Sequence, residues 1–210
     1  SRYKRRRWTP KLRIPRAVAP GAGGNKCLIA LTNTGDYNLT ADVAKTFSFD
    51  TANVYVNGSS AAIGGANEVA AVFEYMRIHK VEMTILPAAN SLAYNDQNLG
   101  SGQSNIPYVY TAIDYSDDDA PTLSEIRQNH TLRLDSLDKP IKRTFYPRLD
   151  GSNGVIDVGS NARNHFMKSG NTSTQRWHGI KIFIDMNNEV WTYGQVRIAM
   201  KIYFECMQSK

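Results

Sequence analysis

Eight basic side chains near the start of the chain are the residues whose types and spacing most clearly suit a chemical task. Residues 1–16 carry a formal charge of +8, because they include eight Lys and Arg and no Asp or Glu. Such side chains bind phosphate groups, and each phosphate that they neutralise releases counterions and adds affinity. The segment therefore predicts binding to a polyanion through Arg2, Lys4, Arg5, Arg6, Arg7, Lys11, Arg13 and Arg16.

The other residues of this segment favour nucleic acid over a membrane surface as the polyanion. Pro10 and Pro15 oppose a continuous helix, and the segment has no apolar face to sit among lipid headgroups. Tyr3 and Trp8 are available to stack on bases, so we include them among the nucleic-acid-binding residues. Two further interpretations stay open, a solvated tail and a nuclear import signal, and the signal would consist of Lys4, Arg5, Arg6 and Arg7.

The remainder of the chain is close to neutral and predicts a single domain. The 210 residues contain 25 Lys and Arg and 19 Asp and Glu, so removing the eight basic residues of the first segment leaves 17 against 19, a charge of −2. The glycine-rich residues 20–24 can adopt backbone angles that other residues resist, which indicates a hinge. We therefore predict a nucleic-acid-binding arm and hinge over residues 1–24 and one folded domain over residues 25–210.

Outside the arm, no residues have the spacing of a catalytic or metal-binding motif. His79, His130, His165 and His178 are far apart, whereas a metalloenzyme of the cupin type needs clustered ligands. The sequence also lacks a phosphate-cradling loop and a nucleophile elbow. We therefore expect no enzyme activity, no catalytic residue, no metal site and no cofactor.

The acidic run of Asp117, Asp118 and Asp119 leaves two interpretations open. Hard divalent cations prefer several carboxylate oxygens, so the run could bind one between subunits. We favour a solvated loop whose charge stabilises the N-terminus of the helix that follows.

The cysteine content and hydropathy of the chain indicate its compartment. Cys27 and Cys206 lie in alternating apolar segments and predict buried free thiols rather than a disulfide framework or a zinc site. No apolar run approaches the length of a membrane span and nothing resembles a signal peptide, so we expect a soluble, intracellular product without membrane insertion. Because the sequence starts at Ser1 rather than Met, the presence of further residues upstream stays open.

Alternating apolar and polar residues predict eight strands in the domain. The pattern is clearest in residues 195–206, 179–186 and 77–86, where one face carries Val, Ile, Met and Phe. In residues 179–186 the second face carries Lys181, Phe183 and Asp185. Shorter β-branched or aromatic segments predict the other five strands, at residues 26–32, 43–49, 108–114, 130–134 and 141–146.

Two short helices and two long loops complete the predicted domain. One helix is predicted over residues 67–74, and Thr122 followed by Glu125 has the spacing of a capping box at the start of the other. The loops at residues 88–107 and 150–174 are poor in apolar residues, and such loops tend to contact partners. Eight antiparallel strands with elaborate loops predict an all-β jelly-roll sandwich. Within it, Trp177, Trp191, Phe183 and Phe204 are interpreted as packing residues.

Five segments, taken in order behind a basic arm, resemble the capsid proteins of circovirus-like, circular single-stranded DNA viruses. Residues 73–83 are similar to that family's helix-to-strand passage, and residues 110–118 to its "Y..ID..D" strand and loop. The arm is shorter than the arginine-rich tract of well-known circoviruses. The remaining similar segments are the basic-aromatic-Pro strand at residues 142–148, the "WHG" sequence at residues 177–180 and the terminal strand at residues 196–204.

The resemblance implies a jelly-roll subunit, sixty copies of which form a T=1 icosahedral shell around single-stranded DNA. It also implies a virion protein that passes through or assembles in the host nucleus. Two other classes of function stay open from the residues alone: a nucleic-acid-binding β-sandwich protein that does not assemble, and a jelly-roll enzyme. The residues themselves predict only a β-sandwich behind an arm that binds nucleic acid.

Overall fold

The computed structural model describes residues 26–39, 41–87, 106–149, 166–168, 176–186 and 195–207. The predicted arm and hinge lie outside the described residues, as do most of the two long loops, His165 and Trp191. The described residues form two helices, α1 (Ala66–Val72) and α2 (Leu123–Gln128). They also form twelve strands: β1 (Lys26–Asn38), β2 (Val43–Phe49), β3 (Asn53–Val56), β4 (Ser59–Ala62), β5 (Tyr75–Pro87), β6 (Tyr108–Ile113), β7 (Arg133–Ser136), β8 (Ile141–Phe145), β9 (Arg148–Leu149), β10 (Met167–Lys168), β11 (Trp177–Asp185) and β12 (Gln195–Met207).

The strands form two antiparallel sheets that pack face to face. The first sheet has the order β1-β12-β5-β10, with β8 also paired to β5. The second has the order β4-β3-β2-β11-β6-β7, with β9 also paired to β11. All eight predicted strands occur in these sheets, so the prediction of an antiparallel jelly-roll sandwich with two short helices is confirmed. The four additional strands each have four residues or fewer.

Burial follows the predicted alternation in the two long central strands of the first sheet. In β12, every second side chain from Val196 to Cys206 is buried, and the side chains between them are exposed or partly buried. In β5 the same holds for Val81, Met83 and Ile85. One face of each strand therefore lies against the second sheet, as period-two patterning requires.

The core between the sheets is filled by aromatic and branched aliphatic side chains. Trp177 of β11, Phe49 of β2 and Phe145 of β8 are each at most 1% exposed. The ring centroids of Phe49 and Phe145 lie 6.1 Å apart, which joins the two sheets directly. Trp177, Phe183 and Phe204 are buried, so the prediction that they pack is confirmed for these three.

The β3–β4 hairpin and strand β7 differ from the sequence prediction for identifiable reasons. The sequence analysis did not predict the β3–β4 hairpin, which turns at Asn57 and Gly58, both with positive φ (48° and 78°). The strand predicted at residues 130–134 instead spans Arg133–Ser136, because the Asn129 side chain accepts a hydrogen bond from the Thr131 backbone N–H (2.9 Å) and holds a turn there.

The helices begin and end where local hydrogen bonding dictates. In α2, the Glu125 N–H donates to Thr122 Oγ1 (3.2 Å) and the Thr122 N–H donates to Glu125 Oε2 (2.8 Å), so the predicted capping box is confirmed. Helix α1 ends at Val72 rather than residue 74, because Phe73 is already extended (φ −116°, ψ 131°) toward β5. Neither described helix is long and apolar enough to cross a membrane.

Gly179 lies at a close approach between the two sheets. The register between β11 and β2 shifts between His178 and Ile180, and a Cβ on Gly179 would lie 2.4 Å from Cε2 of Phe145. Phe145 is 1% exposed, so its ring has no free volume into which to move. Only glycine therefore fits between His178 and Ile180 without displacing the core.

We expect Gly179→Ala to lower the free energy of unfolding by about 1–3 kcal/mol through overpacking against Phe145. Urea unfolding followed by tryptophan fluorescence measures the change. Gly64→Ala is the matched control, because a Cβ there meets no atom within 4 Å. Equal midpoints for the two variants would contradict the proposed contact.

Candidate functional site

The outer face of the second sheet, on which Lys181 and Phe183 of β11 lie, is covered at its centre. Ile180, Ile182 and Ile184 of β11 face the core, as predicted, but Phe183 on the opposite face is only 8% exposed. Ile126 of α2 packs on it together with Tyr110 of β6. Strand β11 is therefore buried on both faces, and α2 forms a second, smaller apolar layer outside the sandwich.

The loop between β6 and α2 crosses the same outer face and supplies carboxylates to Lys181. Lys181 is 9% exposed, and its Nζ lies 2.6 Å from Asp117 Oδ1 and 3.2 Å from Asp114 Oδ2. Burial alone would lower the pKa of Lys181, but the hydrogen bond to Asp117 and the charge of Asp114 outweigh burial and raise it. The same contacts, with the hydrogen bonds from Ser116, outweigh burial and lower the pKa values of Asp114 and Asp117, so all three groups stay charged near neutral pH.

Asp118 makes the second part of this charge cluster. Its carboxylate forms an ion pair with Arg176, and its Oδ1 lies 3.1 Å from Nδ1 of His178, which is 5% exposed. Burial opposes the charge of Asp118, but the neighbouring His178, Ser48 and Arg176 side chains outweigh burial and hold its pKa well below the ordinary value. We call the six residues Asp114, Asp117, Asp118, Arg176, His178 and Lys181 the acidic clamp.

Neighbouring strands hold the clamp in place through further polar contacts. The Arg176 guanidinium lies 3.8 Å from the ring centroid of Tyr55 in β3, and the Tyr55 hydroxyl donates to Asp50 Oδ2 (2.7 Å). Thr46 of β2 donates from Oγ1 to the backbone carbonyl of Asp119 (2.5 Å). The loop before α2 is thus fastened directly to β2 and β11, and through Arg176 to β3.

The acidic clamp corrects the interpretation of the acidic run as a solvated loop. Asp118 is 21% exposed and pairs with Arg176, so that interpretation is wrong for Asp118, whereas Asp117 pairs with Lys181 while its own side chain stays 44% exposed. Among the residues that the structure describes, no group of three or more His, Cys, Asp and Glu side chains is placed to hold a metal ion. The described contacts of the clamp are ion pairs within the chain, and they hold the loop that leads into α2.

Beside α2, three large apolar side chains are exposed along the edge of the second sheet. Ile106, Tyr108 and Leu134 are 37%, 45% and 52% exposed. Tyr108 lies two residues before Tyr110, and Leu134 pairs with Tyr110 across the β6–β7 ladder, so both point to the outer face. We call Ile106, Tyr108 and Leu134 the edge patch. Clustered exposed apolar side chains next to an edge strand are typical of a protein–protein contact.

The sequence-predicted site and the observed surface features occupy different parts of the chain. The ten predicted nucleic-acid-binding residues, Arg2 to Arg16, lie outside the described residues. Sequence reasoning missed the clamp and the edge patch. Phe183 was the available signal for the covered face, because a large aromatic side chain alternating with Lys181 and Asp185 indicates that the second face of β11 is not open to water.

We expect Lys181→Met to lower the free energy of unfolding by about 2 kcal/mol, because it leaves Asp114 and Asp117 without their buried cation. Arg197→Met is the control, since its ion pair with Asp36 is exposed on both sides. Urea unfolding should show a lower midpoint for Lys181→Met and little change for Arg197→Met. Similar midpoints for the two variants would show that the clamp adds no stability.

Comparison with solved structures identifies viral shell proteins with the same fold. The 60-mer of the BFDV capsid protein aligns with a TM-score of 0.53 and 11% identity, covering 90% of this chain and 96% of that chain. Its decamer aligns with a TM-score of 0.51 and 12% identity, covering 88% and 100%. Tobacco necrosis virus gives a TM-score of 0.53 and 10% identity, covering 88% and 96%. At such identities the likeness shows the fold alone.

The sequence itself carries the stronger assignment. No curated protein sequence matches it significantly. The profile of the family described as circovirus capsid protein, however, matches residues 1–210, which is the whole chain. The predicted resemblance is thereby confirmed. Because the match extends from the basic arm to the last strand of the jelly roll, this chain belongs to the circovirus capsid protein family.

Proposed function

We propose that sixty copies of this protein form a T=1 icosahedral shell that packages single-stranded DNA through the basic arm. The observation that carries the proposal is that one chain of a capsid family joins an all-basic segment of +8 to a jelly-roll domain of −2. The BFDV capsid protein, whose fold is similar, forms a 60-mer. In this proposal the domain supplies the shape and the arm supplies the charge.

The domain is suited to contact other copies of itself without strong charge repulsion. Its net charge is close to zero, and several of its described cations lie in ion pairs within the same chain, as Arg77 with Glu205 and Arg133 with Asp135 do. Stable contacts between subunits need about 1,000 Å² or more of buried surface with an apolar centre. The edge patch supplies apolar side chains for one such contact.

The arm is suited to neutralise phosphates without reading sequence. Residues 1–16 contain eight cations and no carboxylate, so the segment carries a net charge that suits it to neutralise external phosphates. The proposed nucleic-acid-binding residues are Arg2, Tyr3, Lys4, Arg5, Arg6, Arg7, Trp8, Lys11, Arg13 and Arg16. We divide the chain accordingly into this arm with its hinge, residues 1–24, and the shell domain, residues 25–210.

The proposed location follows from the same assignment. In this proposal the shell protein is part of the virion, and it assembles in or passes through the host nucleus, as the resemblance to circovirus-like capsid proteins implies. Lys4, Arg5, Arg6 and Arg7 would then serve as the import signal before they bind DNA. The role is structural, so no catalytic residue or cofactor is assigned.

We expect the purified full-length protein to form closed particles of uniform size in negative-stain electron microscopy. Leu134→Asp should reduce their yield strongly, because it places a charge in the edge patch where a neighbour would bury it. Val72→Asp is the matched control, since Val72 of α1 is similarly exposed (55%) and lies outside the patch.

Particle formation by the unmodified protein tests the shell proposal, and particle formation by the two variants tests the edge patch as a subunit contact. If the unmodified protein forms no closed particles across salt and pH, the shell proposal is overturned in favour of a non-assembling nucleic-acid-binding protein. If Leu134→Asp and Val72→Asp both form normal particles, the edge patch is not a subunit contact and the shell proposal stands.

Deleting residues 1–16 should leave the far-ultraviolet circular dichroism spectrum unchanged and remove most of the affinity for single-stranded DNA. The slope of log K against log salt, about −6 for eight phosphate contacts on single-stranded DNA, should fall toward zero. A variant with all eight basic residues of the arm changed to Gln should behave like the deletion. A variant with only the arginines of the arm changed to Lys should keep the slope. Unchanged affinity and slope in the deletion would refute a role for the arm.

A further inference from the structure

The chain has only two cysteines, and the fold places them opposite one another. Cys27 near the start of β1 pairs in register with Cys206 near the end of β12, although almost the whole chain separates them. Both are free thiols. Their register neighbours, Ile29 opposite Phe204 and Leu31 opposite Ile202, show that the pair points to the core face of the first sheet.

The distance between these strands suits a disulfide. Directly opposed residues of an antiparallel pair have Cβ atoms about 4.5–5.5 Å apart, close to the roughly 3.5–4.5 Å that a disulfide spans. The register places the two thiols on the same face of adjacent strands, and each thiol influences the pKa of the other. Rotation of the side chains and a small approach of the strands is therefore enough to join the sulfurs.

The pair lies at a position where a covalent bond would matter mechanically. Strand β1 is at the edge of the first sheet, and β12 is its only ladder partner among the described residues. None of the described side chains of β1 from Cys27 to Asn38 is fully buried. At its far end, Asp36 accepts hydrogen bonds from Arg197 Nε and Nη2 at 2.7 and 3.0 Å. At the other end of β1, from which the chain continues toward the hinge and arm, Cys27 and Cys206 form the equivalent cross-strand pair.

We propose that Cys27 and Cys206 are a modification site at which an intrachain disulfide fastens β1 to β12 when the protein meets an oxidising thiol–disulfide environment. The oxidant is a small disulfide such as glutathione disulfide. The bond would hold the strand that carries the arm, and this inference does not require that the protein form a shell.

The chemistry proceeds by two thiol–disulfide exchanges. The Cys27 thiolate attacks one sulfur of glutathione disulfide, a new S–S bond forms, and the first glutathione leaves as a thiolate. Cys206 then loses its proton and attacks the Cys27 sulfur, which expels the second glutathione. Two protein thiols are thereby oxidised to one disulfide, and one glutathione disulfide is reduced to two glutathione thiols that take up the two protons.

The difference in burial between the two cysteines sets the order in which they react. Cys27 is partly exposed and Cys206 is buried, so the oxidant reaches Cys27 first. Burial raises the pKa of Cys27, and burial together with the charge of Cys27 raises the pKa of Cys206 to about 12. Few thiolates are present at neutral pH, so the pair reacts slowly and persists as thiols where glutathione is reduced.

The test compares full-length protein equilibrated at pH 8 with oxidised or with reduced glutathione. Oxidation should lower the intact mass by about 2 Da for two lost hydrogens, and peptide mapping without reductant should recover a Cys27–Cys206 cross-link. Because the bond closes a loop of nearly the whole chain, the oxidised form should melt about 10 °C higher. Hydrogen exchange of β1 amides should slow, whereas that of α2 amides should not.

Cys27→Ser is the principal control, because Cys27 is the less buried residue and its replacement perturbs the core least. The variant should show neither the cross-link nor the redox-dependent melting shift. A stable glutathione adduct, a disulfide-linked dimer or an unchanged mass in the unmodified protein would each overturn the proposal. A cross-link without slower exchange in β1 would overturn its fastening role.

Discussion

Burial of β11 on both faces is the constraint on which the arrangement of the second sheet depends. Its inward isoleucines contact the first sheet, and its outward Lys181 and Phe183 are almost as inaccessible to water. A lysine in that position is stable only with its charge compensated, because an unpaired buried ammonium costs several kcal/mol. Asp114 and Asp117 supply the compensation, and the loop that carries them must therefore cross the sheet at this place. Helix α2 comes directly after this loop, and its Ile126 covers the apolar half of the outer face of β11.

The domain and the arm differ in whether acidic residues accompany their basic residues. In the domain, several described cations pair with acids of the same chain: Lys181 and Arg176 in the acidic clamp, Arg77 on Glu205 and Arg197 on Asp36. The arm has eight cations and no acid of its own. Its net charge of +8 suits a polyanion, whereas the near-neutral domain allows copies to approach each other without strong repulsion.

The sequence predicted those features that depend on local patterning. Strands β5, β11 and β12 followed from period-two alternation, and α2 from the spacing of Thr122 and Glu125, because burial of one face and helix capping leave marks within a few residues. The β3–β4 hairpin was missed because the β4 side chains are all exposed and show no alternation, although Asn57-Gly58 was a usable turn signal. The acidic clamp was missed because Lys181 and Asp117 lie far apart in sequence and meet only through the pairing of β11 with β6.

The edges of the two sheets differ in a way that bears on how the domain meets partners. Strand β1 exposes a long edge of thirteen residues, whereas β7 exposes four. A four-residue edge offers few backbone groups to an added strand, and Arg133 and Asp135 place charges along it, which is how natural sheets discourage nonspecific pairing. Yet Leu134 and Tyr108 beside it are large, apolar and exposed. Contact at this edge is therefore better suited to side chains on the outer face than to extension of the sheet, and such packing selects a partner by shape rather than by backbone hydrogen bonds.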